Sequence, residues 1–294
     1  KPTMLRPDAF TICNSNYVHQ ISDEKSITTI VRFHKNGDFE ELERALMCLL
    51  SMEDCIVLPY IAAQDLDANQ RAQLDDLVDS LHRRHHSYPI IRHYTSPDGQ
   101  GDLRSMMLNE SLRNVNTQFA AFLDYDDLLM PHAYSWLIDR LTDTNKAIAF
   151  ARVYLTEYIS KTGQIIKRYR KYNNGKNYKD LFESNFAPIH SFVINLHMVD
   201  LSKFIYRNDQ KYMEDYCLLL QLCTENNCDW KGVQENFYIG DYMHAVDKEQ
   251  TLALIDDKTR NDRLNDPSYL RDDLFILNIK EKIKYDLINK YQFR

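Results

Sequence analysis

Apolar and polar residues fall into blocks along the chain, and the period of each block marks an element. SITTIVRF at 26–33 is β-branched and apolar throughout, the pattern of a strand buried on both faces. In FEELERALMCLL, Phe39, Leu42, Leu46, Leu49 and Leu50 recur at helical spacing, and Asp38 is placed to cap the first turn. CIVLPYIAA is a second strand, where Pro59, lacking an N–H, predicts an edge, a bulge or a local break. Residues 69–84 set Leu74, Leu77, Val78 and Leu81 on one helical face. PIIRHY is a third strand, GDLRSMMLNESLRNV a third helix, and QFAAFLDYDD a fourth strand that runs into a carboxylate cluster. Strand-then-helix units in succession imply right-handed crossovers and a mainly parallel sheet with helices on both faces. The first half reads as doubly wound α/β.

The alternation loosens after Leu141. KAIAFARVYLTEY and QIIKRYRKY flank Lys161, Thr162 and Gly163 as a hairpin, SFVIN is a short strand and KYMEDYCLLLQLC a helix. A long Lys-rich helix runs from about Ser268 to Tyr291, with Leu270, Leu274, Ile276, Leu277, Ile279, Ile283 and Leu287 as its apolar set. The expected organisation is an arm at 1–25, an α/β domain at 26–246 and a helical extension at 247–294. No run of about 18 apolar residues occurs, so no transmembrane helix is expected. KPTMLRPDAF has no apolar signal core, and its start without Met leaves open a longer parent chain.

Charge narrows the function. The 36 Lys and Arg against 43 Asp and Glu give a net charge of -7, which argues against a nucleic-acid partner. The 7 glycines form neither GxGxxG nor a P-loop, so any bound phosphate must be held by side chains and a cation. The 6 cysteines form no CxxC pair and read as reduced thiols, which places the chain in the cytoplasm. His82, His85 and His86 with Arg83 and Arg84 fit a solvated basic helix end better than a zinc site, and Lys167 to Lys171 a solvated hairpin face.

In open α/β sheets the ligand crevice lies beyond the carboxyl ends of the strands. Arg32 and His34, Asp65 and Asp67, Asp98 to Asp102, and Asp124, Asp126 and Asp127 stand there. DxD spacing occurs at 65–67 and 124–126, but only the second follows an apolar strand and adds a third Asp. Adjacent carboxylates facing one crevice repel unless a cation neutralises them, which points to a divalent metal with substrate phosphate.

The strand TTIVRF, the helix EELERALMCLL, the run GDLRSMMLNESLRNVNTQFAAF ending in LDYDDLLMP, and KYMEDYCLLLQL together resemble the family 2 inverting glycosyltransferases of the GT-A fold, over about Ser26 to Val246. The resemblance implies a GT-A fold, Rossmann-like and binding a nucleotide-sugar, with a mainly parallel sheet and an added C-terminal helical segment. It implies a nucleotide-diphosphate sugar donor, UDP-sugar favoured, a divalent metal (Mn²⁺ or Mg²⁺) and a glycan or glycolipid acceptor. It assigns Asp124 and Asp126 to the DxD positions for sugar and metal, with Asp127 an alternative metal contact. Asp65 matches the nucleobase acid, although the GlnAspLeuAspAlaAsn run leaves Asp67 open. Arg32, Arg104 and Asn109 border the nucleotide-sugar pocket, Asp215 matches the general base with Glu214 beside it, and His244 the metal or diphosphate contact.

That chemistry suits the residues themselves. Displacement at an anomeric carbon needs a base for the acceptor hydroxyl and positive charge for the departing diphosphate. Bacterial surface polysaccharide synthesis at the inner face of a membrane is the implied setting, with the Lys-rich helix either on the membrane or packed on the domain. The alternatives are a GT-A-like nucleotidyltransferase and a catalytically silent glycan-binding domain.

Overall fold

The computed structural model describes residues 25–85, 87, 89–97, 99, 101–170, 174–247 and 264–292. The arm up to residue 24, Cys13, His86, Asp98 and Lys171 lie outside the described residues.

Three strand-then-helix units and a fourth strand arise as the apolar pattern requires. β1 (Ser26–His34), β2 (Ile56–Gln64), β3 (Ile90–Tyr94) and β4 (Phe119–Asp124) run parallel in the order β3-β2-β1-β4. They are joined through α1 (Phe39–Leu50), α2 (Ala68–His85) and α3 (Arg104–Arg113). Asp38 caps α1 by accepting from the Glu40 N–H at 2.9 Å. Pro59 lies inside β2, yet β3 pairs only from Tyr60 onward, so at Pro59 the strand has a ladder neighbour on the β1 side alone.

The chain then passes β5 (Leu128–Leu129) and α4 (Ala133–Thr144). The apolar stretch 146–158, expected as one arm of a hairpin, divides at Ala151. β6 (Ile148–Phe150) joins the main sheet, whereas β7 (Arg152–Ile159) begins a second sheet with β8 (Gln164–Tyr169). α5 (Tyr178–Glu183) leads to β9 (Phe192–Asn195), which inserts antiparallel between β4 and β6. α6 (Glu214–Leu222), β10 (Cys228–Asp229), α7 (Lys231–Gln234), β11 (Tyr238–Ala245) and α8 (Pro267–Gln292) complete the fold. The main sheet has order β10-β6-β9-β4-β1-β2-β3 and the smaller one β5-β11-β7-β8.

Strand alternation divides the core. Ile27, Val31, Phe33, Phe119, Ala121 and Leu123 face α1, α2 and α4, while Ile30, Ala120 and Phe122 face α3, α6 and α8. Burying each large side chain removes its apolar surface from water, about 1.5–3 kcal/mol apiece. Ile276 and Ile279 of α8 belong to the second layer, and the outer-facing Leu270, Leu274 and Leu277 are exposed. β8 is exposed from Gln164 to Arg168, as a solvated hairpin face requires, and Tyr169 is half-buried. Cys48, Cys55, Cys217, Cys223 and Cys228 are free thiols, and burial pushes Cys55 and Cys217 up to about 12. Among the described residues no helix is long and apolar enough to cross a membrane.

Candidate active site

The last residues of β1 and β4 meet in register. Arg32 faces Asp124 across the ladder, and parity places both on the sheet face that carries α6. Arg32 Nε donates to Asp124 Oδ1 at 2.8 Å and Nη2 to Oδ2 at 3.0 Å, a bidentate pair. The remaining arm, Nη1, donates to Glu214 Oε1 at 2.5 Å. Burial alone would weaken the guanidinium's charge, but Asp124 and Glu214 outweigh it and hold Arg32 protonated. One cation thus ties the end of the central sheet to the first residue of α6.

Asp215, next on that helix, is half-buried and accepts from Asn185 Nδ2 at 3.2 Å and from the Tyr216 N–H at 2.7 Å. Burial, and then the adjacent Glu214 carboxylate, push its carboxyl up to about 7 against the pull of Tyr216, Arg32 and Asn185. A carboxyl titrating near neutrality is suited to taking a proton at physiological pH. Arg32, Asp124, Glu214 and Asp215 line one cleft with Arg104, Asn185, Lys211, Tyr212 and Tyr242. Arg104 Nε is held by both oxygens of Asp102, at 3.0 and 2.9 Å.

The other expected residues stand elsewhere. Asp65 sits at the mouth of β2 with φ 55°, its Oδ1 accepting from the Ser96 N–H and its Oδ2 from Ser96 Oγ, both at 2.7 Å. Burial opposes its ionisation, but the bonds from Gln64 and Ser96 prevail and hold the carboxyl below its ordinary value. Asp67 is occupied otherwise: its Oδ1 accepts from the Gln70 N–H at 2.8 Å while Gln70 Oε1 accepts from the Asp67 N–H at 3.1 Å, a reciprocal cap on α2. Asn109 is buried, donates back to the Ser105 carbonyl at 2.7 Å and does not line the cleft. His244 is buried on β11 opposite Glu157, also away from the cleft lining.

The carboxylate run divides in the same way. Asp127 is 2% exposed, its Oδ1 accepts from the Met243 N–H at 2.7 Å, and its Oδ2 lies 3.2 Å from His190 Nδ1. Burial, then Asp126 and Asp124, push the Asp127 carboxyl well up, while burial drives the His190 imidazole down to about 4. Gly240 lets β11 approach this turn: a Cβ there would come within 2.4 Å of the Leu128 carbonyl oxygen. Among the described residues no three His, Cys, Asp or Glu side chains converge as a metal cage. Asp126, half-buried two residues past Asp124, is not among the residues that line the cleft; its carboxylate oxygens are of the hard type that divalent cations take together with phosphates.

The sequence pattern missed Asn185, Lys211, Tyr212, Tyr242 and His190. Lys211 and Tyr212 stand three and two positions before Glu214, a signal that proximity in the sequence could have raised, whereas Asn185 and Tyr242 arrive from distant segments.

No family model matches the chain, and no curated protein matches it in sequence. Among solved structures it is similar to S. aureus TarS 1-349 in complex with UDP-GlcNAc, at a TM-score of 0.52 and 9% identity, over 86% of this chain and 71% of that one. The complex of S. aureus TarS 1-349 with UDP gives a TM-score of 0.50 and 11% identity, over 74% of this chain and 60% of that one. In the latter comparison the chain thus spans 60% of its relative's length. The likeness is one of fold: a mostly parallel α/β sheet of GT-A type.

Proposed function

We propose that this chain is an inverting glycosyltransferase that moves a sugar from a nucleoside-diphosphate donor to a hydroxyl group of a glycan or glycolipid, within an α/β domain at 26–246 extended by 247–294. The observation that carries this reading is the Arg32 bridge, which sets Asp124 at a strand end and the Glu214–Asp215 pair against one cleft. S. aureus TarS 1-349, similar in fold, holds UDP and UDP-GlcNAc, which favours a UDP-sugar here.

In this reading Asp65 meets the base, and Arg104 and Lys211 face the donor's diphosphate. Asp124, oriented by Arg32, meets the ribose or sugar. The acceptor oxygen attacks the anomeric carbon as its proton passes to a carboxylate oxygen of Asp215. The bond to the diphosphate breaks with its electron pair, and a single displacement inverts the centre. Asn185 orients Asp215, and Glu214 with the desolvated wall keeps its affinity for the proton near neutrality. A divalent cation, Mn²⁺ or Mg²⁺, held by Asp126 and the donor phosphates, would offset the leaving group's charge. Asp127 and His244 then support the turn and the second sheet instead of binding the ion. Bacterial surface polysaccharide is the acceptor class this reading implies.

Calorimetric titration of UDP, GDP, dTDP and CMP, with and without Mn²⁺, tests the proposal. Binding of one nucleotide, strengthened by the metal, is expected; no heat or stabilisation from any of them refutes it.

A further inference from the structure

The segment entering α6 is strained and held from outside. Met213 has φ 59° and ψ 27°, a left-handed conformation that a non-glycine residue keeps only where its surroundings fix it. The grip comes from α8 and the residue just before it. Asp272, 0% exposed, accepts through Oδ2 from the backbone N–H groups of Lys211 at 2.9 Å and Tyr212 at 3.1 Å. Asp266 accepts from Tyr212 Oη at 2.9 Å, Arg271 Nη2 donates to the Asp209 carbonyl at 2.8 Å, and Arg271 Nη1 lies 3.1 Å from the Asp209 carboxylate. Inside the loop, Gln210 Nε2 donates to the Tyr212 carbonyl at 2.9 Å.

A carboxylate wholly removed from water is unfavourable unless its lone pairs are used; Asp272 Oδ2 takes the two amides and its Oδ1 lies 3.4 Å from Arg271 Nε. The residues it fixes, Lys211 and Tyr212, line the cleft beside Glu214 and Asp215. We infer that Asp272 is a positioning residue: through the 211–213 backbone it sets where Lys211 and Asp215 stand in the cleft, so that the C-terminal helix completes the active site. This inference rests on the glycosyl-transfer reading of that cleft. Core packing by the same helix is done one to two turns further on, by Ile276 and Ile279, so the two roles are separable.

The test uses the whole chain and compares Asp272→Ala and Asp272→Asn with Ile279→Val as a packing control. Hydrogen exchange at the Lys211 and Tyr212 amides is expected to accelerate about tenfold or more in Asp272→Ala, and to return toward wild type in Asp272→Asn, which keeps an acceptor oxygen. For UDP-sugar turnover, kcat is expected to fall about tenfold to a hundredfold in Asp272→Ala and UDP affinity to weaken with it, because Asp215 and Lys211 both lose their placement. Ile279→Val is expected to lower Tm while leaving kcat unchanged. Unaltered exchange at 211 and 212, an unaltered kcat, or an equal loss of kcat in Ile279→Val would each overturn the inference. Should Asp272→Ala not fold, Asp266→Ala, which removes the acceptor of Tyr212 Oη, and Arg271→Gln loosen the same loop from its exposed side, and unchanged exchange and kcat in both would equally overturn it. A wild-type protein that binds no nucleotide would instead sink the glycosyl-transfer reading, while the exchange result still decides whether Asp272 holds the loop.

Discussion

Arg32 and Asp124 stand opposite each other on β1 and β4, and two hydrogen bonds of 2.8 and 3.0 Å join them while the third arm of the same guanidinium reaches Glu214. This cation allows carboxylates from a strand end and a helix start to share one cleft. Arg32→Ala leaves both without their partner, and breaking such a buried pair is expected to remove roughly 3–5 kcal/mol of stability, read as a lower Tm. Arg32→Lys keeps the charge but not the fork, so it is expected to fold and to lose donor affinity. The attraction of Arg32 also lowers the Asp215 carboxyl, so neutralising it by Arg32→Gln is expected to move the acid limb of the pH–rate profile above about 7. A limb that stays in place or moves down would contradict the coupling.

Asp215→Asn separates binding from chemistry. Donor affinity is expected to survive, whereas transfer falls by about 10²–10⁴ as the base is removed. The substitution also bears on stability. A carboxyl whose folded value is raised favours its neutral form, so its contribution is full below the ordinary carboxylate value and is lost as pH rises through about 7. Asp215→Asn should therefore raise Tm over wild type at pH 8 and have little effect near pH 4. Thermal melts at the two pH values check this, and a destabilised variant at pH 8 would speak against the shifted carboxyl.

Asp126 and Asp127 are adjacent but are assigned different work. Asp126→Ala is expected to abolish the Mn²⁺-dependent part of UDP binding. Asp127→Asn can still accept from the Met243 N–H and removes a carboxyl that burial holds toward neutrality, so UDP affinity and its metal dependence should stay within about twofold. Calorimetry with and without Mn²⁺ distinguishes them, and loss of metal dependence in Asp127→Asn would transfer the ligand role to Asp127.

Local signals in the sequence were enough for β1 to β4 and α1 to α3, because hydrophobic period, the Asp38 cap and the turn residues agree there. The division of 146–158 between two sheets was not legible: Ala151 is no breaker, and the bend is imposed by β9 on one side and β11 on the other. β11 itself lies in a polar, glycine-bearing run whose burial comes from partners far along the chain. In the candidate site, strand ends singled out Arg32, Asp65 and Asp124, whereas Glu214 and Asp215 were drawn from the family resemblance. The bond between Arg32 and Glu214 spans 182 positions and belongs to tertiary packing alone. Asn109 and His244 came from the family resemblance, which does not reveal whether a side chain turns toward a cleft or into the protein. Asp272 carries no motif, and its role emerges only where α8 crosses the loop before α6.

The central claim is that Asp215 takes the acceptor's proton in a nucleotide-sugar cleft. It is tested most directly by following UDP release from a bound UDP-sugar across pH, with water standing in for the acceptor, in wild type and Asp215→Asn. The account predicts a wild-type rate that falls as pH drops through about 7 and an Asp215→Asn rate at least a hundredfold lower with no such limb. An Asp215→Asn protein as active as wild type, or with the same acid limb, would contradict it.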